Sequence, residues 1–235
     1  MKYILQIISL GLVLLLTVSS MGSSFSSTTF SDEKDNQQIN ESVILVTGFG
    51  PFSVYDVNPS ELIAKELDGE IIEDATVVGI VLPVNFTESV EVATQAIETY
   101  NPIVVISLGL AAPRRWICVE KVGFNLRQKN VSGKVIFTRL DPCGPIFRLS
   151  SIPTFFIARE MRRAGIPART SFRAGIYICN AELYGVLGFI NENNLPIKMG
   201  FIHVPLLTSQ DPKMGMDLED MVEAIRIAIQ VSLYN

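Results

Sequence analysis

The sequence predicts a single-domain α/β/α sandwich, in which a twisted, mostly parallel β-sheet is flanked by helices. Three observations point to this fold class. From residue 43 onward, short apolar runs of strand length alternate with amphipathic stretches of helical length, as in parallel sheets covered on both faces. Glycine, proline and asparagine, which favour turns, occur at the ends of these runs. The chain has 235 residues, of which 48% are hydrophobic, which is ample for one buried core and short for two full domains.

The first part of this region contains three predicted strands and two predicted helices. Asn58 and Pro59 supply an N-cap and a first-turn proline for the first helix. Asn85, with Glu88 three residues later, caps the second helix, which ends before Pro102. The predicted elements are, in order, a strand at 43–47, a helix at 59–67, a strand at 76–82, a helix at 85–100 and a strand at 103–108.

The second part begins with a region, 111–150, that lacks helical periodicity and contains several prolines and glycines. We interpret it as a strand or hairpin around 117–125, followed by a long irregular loop of the kind that is often functional. Regular patterns then return. The predicted elements are a helix at 153–163, a strand at 168–172, a helix from 179 to about 190, a strand at 198–204 and a helix at 217–233.

The N-terminal segment differs in kind from the rest of the chain. Lys2 precedes a strongly apolar stretch over 3–18, and small residues follow it. A basic start, an apolar middle and a small-residue end are typical of a secretory signal peptide, although an uncleaved membrane anchor is the alternative. We therefore predict a signal peptide or anchor at 1–24, a polar linker at 25–41 and a folded domain at 42–235. We expect the protein to lie outside the cytoplasm, either exported or anchored on the outer face of the membrane. A cytoplasmic location is the alternative.

Charge and metal-ligand patterns argue against two classes of partner. The net charge is -5 and no long single-sign run is present, which disfavours nucleic acid. The three cysteines lie far apart and there is one histidine, so neither a CxxC nor an HExxH pattern occurs. We expect no metal site.

Three separate residues could together carry thiol chemistry. His203, the only histidine, ends an apolar strand, and Cys179 stands at a strand-to-helix junction. A cysteine and a histidine so placed are the minimum parts of a nucleophile and its base. Glu120 interrupts an apolar strand, and a buried carboxylate there would need a partner, which an imidazole can provide. The alternatives are a buried structural cysteine, a satisfied core histidine and a glutamate that faces outward beside Lys121.

Five ordered motifs resemble pyroglutamyl peptidase type I, also called pyrrolidone-carboxylate peptidase, a family of cysteine peptidases. The similarity runs through nearly the whole chain after the N-terminal segment, and five matches in order are far more specific than a single cysteine or histidine. The motifs are VTGFGPF (46–52) with NPS (58–60), VLPV (81–84), GLA (109–111) followed by Arg114, Glu120 and Asn125, AGIYICN (174–180), and GFIHVP (200–205).

This resemblance implies a hydrolase that removes an N-terminal pyroglutamyl (5-oxoproline) residue from small peptides, with no metal or organic cofactor. It implies that Cys179 is the nucleophile, His203 its base and Glu120 the orienting acid. It also suggests homo-oligomeric assembly through apolar surfaces. The implied substrate-binding residues line a lactam pocket and are Phe49, Phe52, Tyr177 and Ile178.

Departures from the family pattern keep other hypotheses open. The family has an arginine in an Asp-x-Arg segment where this chain has 128–130, Gln-Lys-Asn. A non-catalytic homologue that binds pyroglutamyl peptides is therefore the second hypothesis, and an amidase for a different N-terminal residue is the third. The N-terminal segment is itself a departure, and export would permit a disulfide between Cys118 and Cys143.

Overall fold

A seven-stranded sheet forms the centre of the computed structural model, which describes residues 42–234. The strands over these residues are β1 (Ser42–Phe49), β2 (Ile71–Ile72), β3 (Ala75–Leu82), β4 (Val104–Leu110), β5 (Ile117–Glu120), β6 (Val122–Phe124), β7 (Arg127–Val131), β8 (Lys134–Thr138), β9 (Phe147–Leu149), β10 (Ala168–Ser171) and β11 (Lys198–Val204). The central sheet has the order β10-β5-β11-β4-β1-β3-β2. Its neighbouring strands are parallel except for β5–β11 and β2–β3. The predicted fold class is confirmed.

Helices cover both faces of this sheet. They are α1 (Pro59–Leu67), α2 (Glu88–Tyr100), α3 (Thr154–Arg163), α4 (Ile178–Glu192) and α5 (Leu218–Tyr234). Helices α2 and α4 pack on one face, where Leu45, Val105 and Phe201 contribute to the core. Helices α1, α3 and α5 pack on the other, over Ile44, Ile106 and other apolar residues. Strand β4 is buried along its whole length and has one polar side chain, Ser107, as is typical of a strand covered on both sides.

Two of the predicted helix starts have the expected polar side chains. The side chain of Asn58 accepts a hydrogen bond from the N–H of Ser60 and caps α1. The side chain of Asn85 accepts from the N–H groups of Thr87 and Glu88. Regular helix then begins at Glu88, three residues later than predicted, because the capping turn itself occupies the intervening residues.

The interpretation of the region after residue 125 as an irregular loop was wrong. Strands β7 and β8 form a hairpin that turns at Ser132 and Gly133, both with positive φ. Strand β9 pairs with β6. Side chains on both faces of the hairpin are largely exposed, so the sequence lacks the alternation of apolar and polar residues that marks a half-buried strand.

The predicted signal peptide or anchor at 1–24 and the linker at 25–41 lie outside the described residues. Between residues 42 and 234, none of the helices combines the length and the apolar character needed to cross a bilayer. Cys118 is buried and Cys143 is exposed, and both are free thiols, so the two do not form a disulfide.

Candidate active site

Glu120 and His203 meet across the antiparallel pair β5–β11. Glu120 lies opposite Phe201, two residues before His203, so the two side chains project from the same face as diagonal neighbours. His203 Nδ1 lies 2.9 Å from Glu120 Oε1. Glu120 is fully buried and His203 is 5% exposed, so Glu120 does not face outward and the two polar groups satisfy each other inside the protein.

Glu120 is ionised at physiological pH because several donors converge on it. Arg114 Nη1 lies 2.6 Å from Oε1, and the backbone N–H of Arg173 donates to Oε2 at 3.1 Å. Burial alone would raise the pKa of Glu120, but the hydrogen bond and charge of His203, followed by hydrogen bonds from Arg114 and Ser171, lower it to about 2. The ionised carboxylate accepts the Nδ1 proton of His203, which leaves Nε2 free to act as a base.

Cys179 is the second residue of α4, and its sulfur lies on the face of the sheet that carries the His203 side chain. Gly109 on β4 is the register partner of His203 on β11, and paired residues point their side chains to the same face. A Cβ built on Gly109 would lie 2.9 Å from Cys179 Sγ. The sulfur therefore occupies the space that a side chain at position 109 would take. Cys179 and His203 also line one cavity.

Neither Cys179 nor His203 is charged in the resting site at neutral pH. Burial, and then the charge of the Glu182 carboxyl, raise the pKa of Cys179 to about 12. Burial lowers the pKa of His203, although the hydrogen bond and charge of Glu120 oppose this effect. A thiolate would therefore form only as His203 takes the proton during attack.

The start of α4 offers backbone donors and is held firmly in place. The first N–H groups of a helix have no partner within it, and in α4 these groups belong to residues that include Cys179 itself. The side chain of Asn180 accepts from the N–H of Phe124 at 2.8 Å and donates to the carbonyls of Phe124 and Leu126 at 2.8 and 2.9 Å. These bonds tie the residue next to the sulfur to the end of β6.

The cavity beside the sulfur has a volume of about 370 Å³ and mainly apolar walls. All four residues predicted to bind a lactam line it, together with residues that the sequence did not single out for this role. The full lining is Phe49, Phe52, Asn58, Val84, Leu110, Ala174, Tyr177, Ile178, Cys179 and His203. Leu110 is the last residue of β4, so the rule that ligands bind at the carboxyl ends of parallel strands could have identified it.

The segment where the chain departs from the family pattern lies in β7. The backbone N–H of Gln128 donates to the carbonyl of Ile176, in the segment that leads to Cys179. The side chains of Lys129 and Asn130 are exposed. The backbone of β7 therefore supports the cavity wall, whatever side chains it carries.

Glu182 is a buried carboxyl one turn beyond Cys179 that the sequence analysis missed. Its Oε1 accepts from Ser107 Oγ at 2.6 Å, and Ser107 in turn accepts from Thr47. Its Oε2 has no hydrogen-bond partner among the residues from 42 to 234. Burial raises the pKa of Glu182 to about 8, although the hydrogen bond from Ser107 opposes the rise. The group is therefore mostly protonated at neutral pH.

Glu182→Gln is expected to speed alkylation of Cys179 above about pH 8 and to leave it nearly unchanged at neutral pH. As the pH rises through the pKa of Glu182, a negative charge forms near the sulfur and disfavours the thiolate; glutamine cannot acquire this charge. The measurement is the rate of iodoacetamide labelling against pH. Glu192→Gln, at an exposed carboxyl of the same helix, is the matched control. Superimposable curves for wild type and Glu182→Gln would contradict the expectation.

Comparisons with known proteins agree on one family. The sequence model of the family described as Pyroglutamyl peptidase matches residues 42–235. A pyrrolidone-carboxylate peptidase of Mycobacterium bovis is 37% identical over 205 residues, covering 82% of this chain and 92% of that protein. Pyrrolidone-carboxylate peptidase 2 of Caldanaerobacter subterraneus is 41% identical over 196 residues, covering 80% and 95%.

Solved structures show the same similarity. The pyrrolidone carboxyl peptidase from Thermococcus litoralis superposes with a TM-score of 0.77 at 34% identity, covering 82% of this chain and 93% of the other. The pyroglutamyl peptidase I of Bacillus amyloliquefaciens gives a TM-score of 0.78 at 30% identity, covering 83% and 98%.

Proposed function

Because this chain belongs to the pyroglutamyl peptidase family of cysteine hydrolases, we propose that Cys179, His203 and Glu120 together remove N-terminal pyroglutamate from small peptides. The observation that carries these roles is that a thiol, an imidazole paired with an ionised carboxylate, and an apolar cavity all meet at one place. No one of these features would indicate this chemistry alone.

The reaction proceeds in two stages. His203 Nε2 takes the proton of Cys179 as the sulfur forms a bond to the pyroglutamyl carbonyl carbon, and backbone N–H groups at the start of α4 stabilise the oxyanion. The C–N bond then breaks, and His203 returns the proton to the departing amine. In the second stage His203 deprotonates water, which attacks the thioester, and the thiol takes the proton back as pyroglutamate leaves. Glu120 holds the imidazole in one orientation throughout.

The cavity walls favour a neutral, flat lactam over an ordinary peptide N-terminus. Phe49 and Phe52 provide aromatic surface of the kind that packs well on a small planar ring. Apart from the catalytic groups, the polar side chains of the lining are Asn58, whose amide is already engaged with Ser60 and the carbonyl of Gly50, and Tyr177, which carries a neutral hydroxyl. A charged α-ammonium would therefore lose its hydration in this cavity without gaining a charged partner from these two side chains, at a cost of several kcal/mol.

Turnover of matched chromogenic amides tests this proposal. We expect the purified protein to release the dye from a pyroglutamyl amide and not from the corresponding prolyl, glutaminyl or glutamyl amides. Proline shares the ring but carries a charged nitrogen, so it isolates the effect of the lactam. Hydrolysis of a different amide would favour the amidase hypothesis. Binding of pyroglutamyl ligand without any turnover would favour the non-catalytic homologue, and either result would contradict the proposal.

We propose in addition that residues 1–24 direct export, so that the peptidase domain works outside the cytoplasm. Support comes from the order of Lys2, the apolar stretch over 3–18 and the small residues behind it. Intact-mass measurement on protein from the native host tests it. A mass that lacks this segment fits a cleaved signal peptide, and a full-length chain in the membrane fraction fits an anchor. A full-length chain in the cytoplasm would contradict export.

We also propose that this domain associates with a second copy of itself. The support comes from apolar side chains that face solvent. Val135, Ile136 and Phe137 on β8 are 53%, 40% and 58% exposed. A hairpin with apolar groups on its surface is typical of a contact with another chain, here a second copy. Light scattering of the purified protein should therefore give a mass above that of one chain, and Phe137→Lys should lower it. A monomer at high concentration would contradict this proposal.

A further inference from the structure

Arg114 joins the carboxylate of Glu120 to the chain segment that precedes Cys179. Its Nη1 donates to Glu120 Oε1 at 2.6 Å, and its Nη2 donates to the carbonyl of Arg173 at 2.7 Å. The N–H of Arg173 in turn donates to Glu120 Oε2 at 3.1 Å. The three residues therefore form a closed ring of hydrogen bonds, hereafter the Arg114 ring. Its two guanidinium bonds use the forked geometry that arginine has and lysine lacks.

The Arg114 ring fixes one end of the cavity wall. Directly after Arg173, the chain passes through Gly175, whose φ is +93°, and places Tyr177 and Ile178 along the cavity before it reaches Cys179. The far end of this segment is held by the hydrogen bonds of Asn180 described above. Without the Arg114 side chain, the hydrogen bonds left at Arg173 are those from its N–H to Glu120 and Ser171. The wall and the sulfur depend on both ends.

The Arg114 ring also acts on the charge of the base. Arg114 and His203 contact the same carboxylate oxygen, Glu120 Oε1, at 2.6 and 2.9 Å. The guanidinium partly neutralises the negative charge of Glu120, which would otherwise favour the protonated form of His203. The positive charge of Arg114 also opposes protonation of the imidazole directly. Several titratable or charged groups surround His203. Strand β5 contributes Glu120 and Cys118, and Arg114 precedes this strand. Helix α4 contributes Cys179, with Glu182 next to Cys179.

We propose that Arg114 is a positioning residue of this site, which holds the wall segment through Arg173 and, by sharing Glu120 Oε1 with His203, leaves the imidazole free to accept the thiol proton. The inference rests on the peptidase function proposed above. The Arg114 side chain has two separable roles. Its forked hydrogen bonds hold the wall segment, and its charge lowers the tendency of His203 to take up a proton.

Two substitutions separate these roles. Arg114→Gln removes both the charge and the fork, so the acidic limb of the kcat/KM profile should move up by about one pH unit and KM should rise several-fold. Arg114→Lys keeps the charge but carries its donors on a single nitrogen, which cannot occupy the positions of both Nη1 and Nη2, so KM should rise while the acidic limb stays near that of wild type. Arg115→Gln is the matched control, because Arg115 is exposed, lies over Trp116 and should affect neither quantity.

The results for the Arg114 variants and the result for the wild-type protein test different statements. The variants test the roles of Arg114, and the wild type tests the proposed function. Wild-type KM and an unmoved acidic limb in Arg114→Gln would overturn the roles of Arg114, and so would an unchanged KM in Arg114→Lys. If Arg114→Gln does not fold, judged by near-UV circular dichroism, the Arg114→Lys result decides. If the wild-type protein turns over no pyroglutamyl amide, the proposed function fails. The acidic limb of iodoacetamide labelling of Cys179, which needs no substrate, then tests the role of the Arg114 charge in wild type and variants.

Discussion

Replacing Cys179 with serine is expected to abolish turnover of a pyroglutamyl amide while leaving the fold and the cavity in place. The hydroxyl nearly matches the thiol in shape, so the packing against Gly109 survives. A hydroxyl is, however, a far weaker acid, and the pKa of the buried His203 is already lowered, so this base cannot remove its proton effectively. The expected loss in kcat is at least about a thousandfold, as for removal of a nucleophile in related catalytic groups.

Binding and turnover must be measured on the same preparation of Cys179→Ser. Calorimetry with a pyroglutamyl peptide should show saturable binding to Cys179→Ser, because the aromatic walls are untouched. Cys143→Ser is the matched control, since Cys143 is an exposed free thiol outside the cavity lining, and it should keep full activity. Turnover by Cys179→Ser near the wild-type rate would remove the sulfur from the mechanism.

Gly109→Ala is expected to cost nearly as much activity without touching any group that reacts. The added methyl would lie 2.9 Å from Cys179 Sγ and 2.8 Å from Phe201 Cζ, closer than real Cβ contacts. The Phe201 ring packs on the imidazole of His203 with 4.9 Å between ring centroids, so it cannot yield without disturbing the base. We expect kcat to fall by about a hundredfold or more, because a displacement of about 1 Å between reacting groups has an effect of that size.

A second glycine provides the control for this substitution. A Cβ on Gly50 would meet only the Val81 side chain, at 3.8 Å, which is an ordinary contact. Gly50→Ala should therefore keep most of its activity, measured as kcat on the pyroglutamyl amide. Equal kcat values for Gly109→Ala and wild type would show that the sulfur does not sit in the space beside position 109.

The sequence predicted the layers of the fold better than the contacts that bring the candidate residues together. The strand at 198–204 has the same bounds in the structure, because a buried apolar run between turn signals is easy to recognise. The contact of Glu120 with His203, in contrast, depends on β5 lying antiparallel beside β11 in an otherwise parallel region. Strand order is set by pairing between distant segments, and one sequence carries no local signal of it.

Glu182 and the Arg114 ring show a further limit of sequence reasoning. Residues 181–184 are all buried, because α4 packs against the sheet on one side and against other elements on the other. With no exposed stripe there, helical periodicity gives no hint that a carboxyl at 182 is buried. Arg114 stands in a recognised motif, but its partner Arg173 is 59 residues away. Such contacts become visible only when the fold brings the segments together.

Cys179 is expected to carry the pyroglutamyl group as a thioester during turnover. Mass spectrometry of acid-quenched reactions with a pyroglutamyl amide tests this expectation most directly, because a thioester survives acid long enough to be mapped. We expect a mass increase equal to one pyroglutamyl group on the peptide that contains Cys179, and no such increase in Cys179→Ser. Turnover without an adduct on Cys179, or with an adduct on Cys118 or Cys143, would contradict it.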